Sequence, residues 1–338
     1  MSELVSIIVP IFNAEKFIQK CINSLLSQTY REIEILLFDD GSRDNSLAIC
    51  NEIAKKDKRI KVFSQENKGV AQTRLEAFFC SKGEYITFVD ADDYVSGNYI
   101  YNMVNHLESE NVDMVVCQHY NKTETGEHKV IRKVLGYFDN KGIEQIIKEK
   151  VLYDNDTQVS GIAIYLWGKL FRRKYVEKML QAGLGLWYGE DQVCILQLLY
   201  NISSLYVSED YDYYYIIHPE QVTQAKTLRV DFLQEQIHCW QRLIEIDKKE
   251  LLKEQLPKRI MVNINRFVKR FVDMNLRFEV FKQAMKNLRD MKILKPSFAK
   301  NTIKLKWNIQ ILFYLFKFRL YHSMFLYLKM QSRLKKNL

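Results

Sequence analysis

The chain has 338 residues, of which 47% are hydrophobic and 27% are charged, a balance typical of a folded globular protein. This length predicts either two domains or one large α/β domain with an extension. The six cysteines are scattered and form no CxxC pair, so neither a disulfide framework nor a zinc site is indicated. A reducing compartment fits this cysteine usage best.

The net charge of +9 is concentrated at the C-terminus. Residues 301–338 contain eight Lys or Arg and no Asp or Glu, so the other 300 residues carry only +1. Nucleic acid is the first partner that a basic chain suggests. Here, however, the charges alternate with aromatic side chains, which is typical of helices at a membrane surface. We therefore expect no nucleic-acid binding and a peripheral membrane contact; a helical subdomain or an oligomer contact is the alternative.

The two ends of the chain also bear on location. The longest uncharged run of the tail, residues 307–316, has ten residues, whereas crossing a bilayer needs ~20. The N-terminus enters an apolar strand after Met-Ser-Glu, with no basic segment before an apolar one, so no secretory signal is predicted. We expect a cytoplasmic protein, placed at the inner face of the membrane if the tail binds lipid.

Apolar strands and amphipathic helices alternate over the first 118 residues. The predicted elements, in chain order, are "LVSIIVPIF", a helix over 14–27, "IEILLF" at 33–38, a helix through Ile53, "IKVFS" at 60–64, a helix over 70–80, "EYITFV", a helix over 98–108 and "VDMVVCQ". This order predicts a doubly wound, mostly parallel sheet. Ligands of such sheets bind beyond the carboxyl ends of the strands.

The rest of the chain is less regular. A polar stretch from His119 to about Asn140 predicts a hairpin or loop, and a short helix follows over 143–151. After "YLWGKLFRRKYVEKML" come a glycine-spaced loop, a helix ending near Leu199 and the aromatic strand "DYDYYYIIH". Beyond Val230 the pattern is helical to the end.

Three aspartates crowd the end of an apolar strand in "GEYITFVDADD": Asp90, Asp92 and Asp93. At an effective dielectric of about 20, two like charges ~4 Å apart repel by roughly 4 kcal/mol, so a cation would relieve the crowding. Carboxylate oxygens are the ligands that Mg²⁺ and Mn²⁺ prefer. A solvated acidic turn is the alternative, because Asp is common in turns and a single DxD is weak evidence.

A second acidic pair, Asp39 and Asp40 of "FDDGS", follows another strand. Gly41 permits a tight turn that would bring a ligand close to the backbone. A fixed carboxylate here could accept the imide N–H of uracil or thymine, while Ser42 or Asp44 caps the next helix. Because both acidic clusters follow strands, we expect them to share one cleft.

Glu190 and Asp191 of "GEDQVCILQLL" lie where an amphipathic helix begins. The helix dipole alone favours acidic residues there. The same effect keeps a carboxylate ionised, and an ionised carboxylate that faces a cleft can take a proton from an attacking hydroxyl. Asp191 is therefore a candidate general base.

Other motifs give no site. "GLGLWYG" places its third glycine one position late and follows no strand, so a dinucleotide fingerprint is not indicated. The sequence has no P-loop, HExxH or GxSxG motif. Among the six histidines, His218 alone is expected near a cleft, and a structural role is the preferred interpretation.

The motifs in their order resemble the family 2 glycosyltransferases of bacteria, which have the GT-A fold. The segments that carry the resemblance are "VSIIVPIFNAEKFIQKCINSLLSQTYREIEILLFDDGSRDNS", "NKGVAQTRLEAF", "GEYITFVDADD", "WGKLF" and "GED". It covers about the first 225 residues. It implies a nucleotide-sugar-binding half at 1–118, an acceptor-binding half at 119–225 and a helical region at 226–338.

On the donor side, the resemblance implies a nucleotide pocket. Pro10 and Phe12 would line it, with the Phe12 ring against the base, and Asp40 would bind the base edge. Arg74 would lie beside the nucleotide, although Leu75 and Glu76 replace the Asn and small residue that usually follow.

At the reaction centre, the resemblance implies that Asp90 faces the ribose or donor sugar, Asp92 ligates the metal and Asp191 is the general base. Lys169 would lie on the acceptor or diphosphate side. The implied reaction is an inverting single displacement with Mn²⁺ or Mg²⁺, from a nucleotide sugar, expected to be UDP-linked, to a glycan or lipid-linked saccharide.

Rival functions remain open from the sequence. A catalytically silent sugar-nucleotide-binding or scaffolding protein of the same fold is the alternative from another class, although such a protein could lose Asp40, Asp92 and Asp191 freely. A nucleotidyltransferase would need a glycine-rich phosphate loop near the N-terminus, which is absent.

Overall fold

The computed structural model describes residues 2–153, 161–218, 232–273, 277–290 and 307–336. The strands are β1 (Val5–Ile11), β2 (Ile33–Asp39), β3 (Ile60–Ser64), β4 (Tyr85–Phe88), β5 (Tyr94–Val95), β6 (Met114–Thr123), β7 (Gly126–Lys129), β8 (Gly136–Asp139), β9 (Lys169–Arg172) and β10 (Ser204–Ile216). The helices are α1 (Ile18–Leu26), α2 (Ser46–Ala54), α3 (Val70–Cys80), α4 (Tyr99–Ser109), α5 (Asn140–Glu149), α6 (Val176–Ala182), α7 (Glu190–Leu199), α8 (Phe232–Ile246), α9 (Gln255–Asp273), α10 (Phe278–Asp290), α11 (Trp307–Lys317) and α12 (Tyr321–Lys336).

The described strands form one sheet in the order β3-β2-β1-β4-β9-β6-β10-β5, with β7 paired to β6 and β8 to β10. Strands β3, β2, β1 and β4 pair in parallel, and helices cover both faces of the sheet. Near-continuous apolar runs suit β1, β2 and β4, because both faces of these strands are buried. The predicted α/β fold with a mostly parallel central sheet is confirmed.

Strand β9 is inserted between β4 and β6 and runs antiparallel to both. Its N-terminal end therefore lies at the same edge of the sheet as the carboxyl ends of β4 and β6. The Trp167 bridge to Phe88 and the hydrogen bond from Cys117 N to Gly168 O place the "WGK" turn there. This insertion brings a segment distant in sequence to the expected ligand edge.

Strand β6 is longer than the polar stretch after Gln118 suggested. It continues to Thr123 and pairs in parallel with β10 out to Lys122. Its outer half also forms a hairpin with β7. The expected division at residue 118 therefore falls inside a strand, and one sheet runs through both expected halves. The expected boundary near residue 225 lies outside the described residues.

The helical extension continues the hydrophobic core that lies on one face of the sheet. Helices α11 and α12 form a hairpin against α9 and α10. Their inward side chains include Phe313, Phe316, Met324 and Leu328, each at most 1% exposed. Within the described ranges, no helix combines the length and the apolar character that crossing a bilayer requires.

Candidate functional site

The first part of the site lies at the ends of β1 and β2, which are in register so that Ile11 is beside Asp39. Phe12 directly follows β1, and its side chain is 51% exposed. Asn13 adopts a left-handed φ of 52°, and its backbone N–H and side-chain oxygen bond to Ser42 and Arg43. The turn after β1 is thus fastened to the turn after β2, and Phe12 offers a ring face at the edge.

The Asp40 carboxylate holds the loop that leads into α3. It is 4% exposed and accepts hydrogen bonds from Gln65 Nε2 at 2.9 Å, Lys68 N at 2.8 Å and Gly69 N at 2.9 Å. A carboxylate has about four acceptor positions, so three bonds leave one for a ligand. Gly41 is needed beside it, since φ is 73° and a Cβ would lie 3.0 Å from Asn67 N. Base recognition by Asp40 stays a prediction.

The second part of the site is the DADD turn, Asp90–Asp93, which follows β4. Asp90, Asp92 and Asp93 each offer a carboxylate oxygen, and these oxygens lie within 4.8 Å of one another. Asp93 is buried, with Oδ2 bonded to the Tyr213 hydroxyl at 2.8 Å and Oδ1 to Ile216 N at 2.8 Å. Asp93 therefore ties the turn to β10, which is a structural role for the aspartate that the sequence left unassigned.

Arg74 joins the DADD turn to the start of α7. Its guanidinium donates to Asp191 at 2.7 Å, Glu190 at 3.2 Å and Asp90 at 3.1 Å, and the side chain is 3% exposed. Burial lowers the pKa of Arg74, but the three carboxylates, led by Asp191, raise it above its ordinary value. One buried cation thus holds the predicted base and the predicted sugar-facing aspartate together.

Negative charge exceeds positive charge around Arg74. Burial is the main effect that raises the pKa of the Asp90 carboxyl to about 6; Asp92 adds to it and Arg74 opposes it. Burial and then Asp191 raise the pKa of Glu190 to about 7. The site therefore favours binding of either protons or a further cation, because one guanidinium does not balance the surrounding carboxylates.

The oxygen-rich DADD turn fits a divalent metal. Asp90 is bonded to Arg74 and Asp93 to β10, whereas Asp92 has its Oδ2 3.0 Å from His218 Nε2. Carboxylate oxygens suit Mg²⁺ or Mn²⁺, and the His218 imidazole, at hydrogen-bond distance from Asp92, could hold that carboxylate or add a nitrogen ligand. The residues that would hold the ion are Asp92 and His218, with Asp90 nearby.

Lys169 does not present its ammonium to an open cleft. The side chain is fully buried, and Nζ donates to Tyr165 O at 2.6 Å and Trp167 O at 3.4 Å. Burial lowers the pKa of Lys169 to about 7, and Asp191 acts in the opposite direction. Lys169 thus holds the backbone carbonyls of Tyr165 and Trp167, at the start of the "WGK" turn.

The structure brings together most of the predicted residues. Asp90, Asp92, Asp191 and Arg74 form one constellation, and Pro10, Phe12 and Asp40 lie farther along the same edge. The sequence did not predict the contact of His218 with Asp92 or that of Glu190 with Arg74. The position of His218 at the end of an aromatic strand was the signal that could have found it.

The profile of the family described as "Glycosyl transferase family 2" matches residues 6–180. The chain therefore belongs to glycosyl transferase family 2.

Two curated relatives are similar over part of the chain. Glycosyltransferase GlyG of Streptococcus pneumoniae is 44% identical over 126 residues, 37% of this chain and 42% of the relative. Poly(ribitol-phosphate) beta-glucosyltransferase of Bacillus spizizenii is 30% identical over 219 residues, 63% of this chain and 32% of the relative. The chain thus spans less than half the length of either relative.

The fold is similar to that of TarS 1–349 from S. aureus, solved in complex with UDP. The TM-score is 0.69 at 19% identity, and the similarity covers 98% of this chain and 92% of that one. At this identity the similarity shows the fold, which is the GT-A fold with its helical C-terminal region.

Proposed function

We propose that the protein is an inverting glycosyltransferase that moves a sugar from a nucleoside diphosphate sugar, with UDP as the nucleotide, to a hydroxyl acceptor in bacterial envelope glycan synthesis. The observation that carries the proposal is the Arg74 constellation, which places the Asp191 carboxylate beside the DADD turn. The UDP complex of TarS and the activity named for poly(ribitol-phosphate) beta-glucosyltransferase support the donor and the envelope setting.

The sheet order supports an extended donor. Phe12 and Asp40 follow β1 and β2, and the DADD turn follows β4. In the sheet, β4 is the neighbour of β1 on the side opposite β2. A base stacked on Phe12 would therefore direct its diphosphate toward Asp92. A divalent cation held by Asp92 and His218 would neutralise the charge that develops on the leaving diphosphate.

The base step follows from the position of Asp191 in the first turn of α7. The N-cap of α7 is Gly189, which has φ of 81°. A Cβ at this position would lie 2.7 Å from Cys239 Sγ, so the residue before α7 has to be glycine. The Asp191 carboxylate would take the proton of the acceptor hydroxyl as its oxygen attacks the anomeric carbon. Arg74 orients this carboxylate at 2.7 Å.

The test is a hydrolysis and transfer screen with UDP-, GDP- and dTDP-sugars, with and without Mn²⁺. We expect turnover of a UDP-sugar that depends on the metal. Asp92→Asn should remove most of the metal-dependent turnover, because it removes the proposed ligand oxygen. Asp191→Asn should abolish transfer while leaving donor binding in place, and normal transfer by this variant would contradict the assignment.

The proposal includes a peripheral membrane contact through the turn between α11 and α12. Phe318 is 62% and Leu320 50% exposed, with the exposed Arg319 between them, whereas Phe313 and Phe316 are buried. An apolar and basic tip suits an anionic lipid surface. Flotation with phosphatidylglycerol liposomes at low salt should retain the protein. The double variant Phe318→Ser and Leu320→Ser should lose this retention, and retention of that variant would contradict the contact.

A further inference from the structure

A stack of parallel aromatic rings leads away from the DADD turn. The Tyr213 ring lies 4.4 Å from that of Trp167 at 12°, and the Trp167 ring lies 4.8 Å from that of Tyr165 at 8°. Tyr213 begins the stack at the reaction centre, since its hydroxyl donates to Asp93 and accepts from Asp90 N. We call these three rings the Tyr165 stack.

The stack ends in solvent. Tyr213 and Trp167 are 0% and 2% exposed, but Tyr165 is 43% exposed. The partly buried Tyr215 lies beside Tyr165, with 6.5 Å between ring centroids and 10° between planes. Tyr165 thus presents one exposed ring at the end of the stack, beside the partly buried Tyr215, which also stacks on Trp167 with 5.4 Å between centroids.

The position of the stack in the sheet separates it from the nucleotide pocket. The order β2-β1-β4-β9-β6-β10 puts Phe12 and Asp40 on one side of the DADD turn. Tyr165 and Tyr215, next to β9 and at the end of β10, lie on the other side. A donor that occupies the first side leaves the second side to the molecule that receives the sugar.

The Tyr165 backbone is held independently of its ring. Lys169 Nζ bonds to Tyr165 O and Trp167 O, and Gly168 O accepts from Cys117 N. Gly168 has φ of 68°, which lets the chain turn here. The Tyr165 side chain can therefore be replaced while the turn that carries it stays in place.

We propose that Tyr165, flanked by Tyr215, is the stacking site for a pyranose ring of the acceptor. The C–H groups on one face of a pyranose pack well on an aromatic ring, while its hydroxyls remain solvated or reach polar groups. The stack would hold the acceptor beyond the DADD turn with a hydroxyl directed toward Asp191. This inference rests on the proposed transferase function and specifies the class of its acceptor.

The test uses saturation-transfer NMR on the full chain with UDP and Mn²⁺. The probes are methyl β-D-glucopyranoside, methyl β-D-galactopyranoside and methyl α-D-mannopyranoside, with ribitol as the acyclic comparison. We expect at least one pyranoside to bind and ribitol to give no signal. Binding should be weakened at least fivefold in Tyr165→Ala and retained in Tyr165→Phe, which keeps the ring. The matched control is Tyr137→Ala, since Tyr137 is 53% exposed on β8 and lies outside the stack.

Three outcomes would overturn the inference: no pyranoside binds the parent protein, ribitol binds in place of the pyranosides, or Tyr165→Ala binds them as the parent does. UDP-sugar hydrolysis by the same preparations separates this inference from the proposed function. Tyr137→Ala should hydrolyse the donor at the parent rate, because Tyr137 lies on β8, outside the stack. Absence of hydrolysis in the parent would count against the transferase and not against the stack.

Discussion

The two acidic turns at the ligand edge are alike in sequence and differ in their surroundings. Asp40, in the turn after β2, accepts two backbone N–H groups and one side-chain amide from the loop before α3. In the DADD turn, Asp90 and Asp92 contact charged or ionisable side chains, Arg74 and His218. The first turn is held mainly by backbone N–H groups of one loop, and the second by charged or ionisable side chains from two separate elements.

The difference indicates which turn contributes mainly to folding stability and which mainly to ligand binding. Backbone amides satisfy Asp40 without any other charge, so that carboxylate contributes to the stability of the loop. Around Arg74 the carboxylates outnumber the cation, so that region holds a charge imbalance that a bound metal or proton relieves. We therefore expect substitutions in the first turn to act mainly on stability and those in the second mainly on activity.

Arg74 should show the largest effect. Arg74→Met would leave Asp90, Glu190 and Asp191 without their shared cation, and breaking a buried ion pair costs about 3 to 5 kcal/mol. We expect a loss of this size in the free energy of unfolding, measured in urea, together with loss of transfer. Arg59→Met is the control, because the Arg59 pair with Asp57 is partly exposed and should cost about 1 kcal/mol or less. Equal losses in both variants would contradict the central role of Arg74.

A pair of matched substitutions compares the two turns directly. Asp40→Asn replaces an acceptor of two backbone N–H groups with an amide that has one acceptor oxygen, so unfolding should become easier by about 1 to 3 kcal/mol. Asp92→Asn removes one of several crowded charges, so stability should change by less than about 1 kcal/mol while metal-dependent turnover is lost. If Asp92→Asn destabilised the protein as much as Asp40→Asn, the contrast between the turns would be wrong.

The pH dependence of stability gives the smallest expected effect. The pKa of Glu190 is about 7, above its ordinary 4.5, so the folded state holds this proton more tightly than the unfolded state. The resulting stabilisation is complete below about pH 4.5 and is lost as the pH rises through about 7. Measured with a chelator, the fall in unfolding free energy from pH 5 to pH 8 should be reduced by about 1 to 3 kcal/mol in Glu190→Gln. Glu209→Gln, at an exposed position, should keep the parent profile, and an unchanged profile in Glu190→Gln would refute the assignment.

Much of the fold could be predicted because its signals are local. Apolar runs predicted β1, β2 and β4, and the helix expected over 70–80 is observed as α3, Val70–Cys80. The continuation of β6 to Thr123 could not be predicted, because its polar outer half is a strand only through its pairing with β10. The burial of the tail aromatics Phe313 and Phe316 could not be predicted for a similar reason, since periodicity does not show which neighbour covers a helix face.

The sequence by itself determined the order of the motifs, the carboxyl-edge placement of both acidic turns and the choice of Asp40, Asp92 and Asp191 as candidates, because each depends on residues within one strand or helix. Only the tertiary structure decided how they meet. Arg74 contacts Asp191 across 117 positions and His218 contacts Asp92 across 126. These contacts depend on the insertion of β9 beside β4 and on the parallel pairing of β10 with β6. Strand order of this kind is set by packing over the whole sheet, and no short stretch of sequence encodes it.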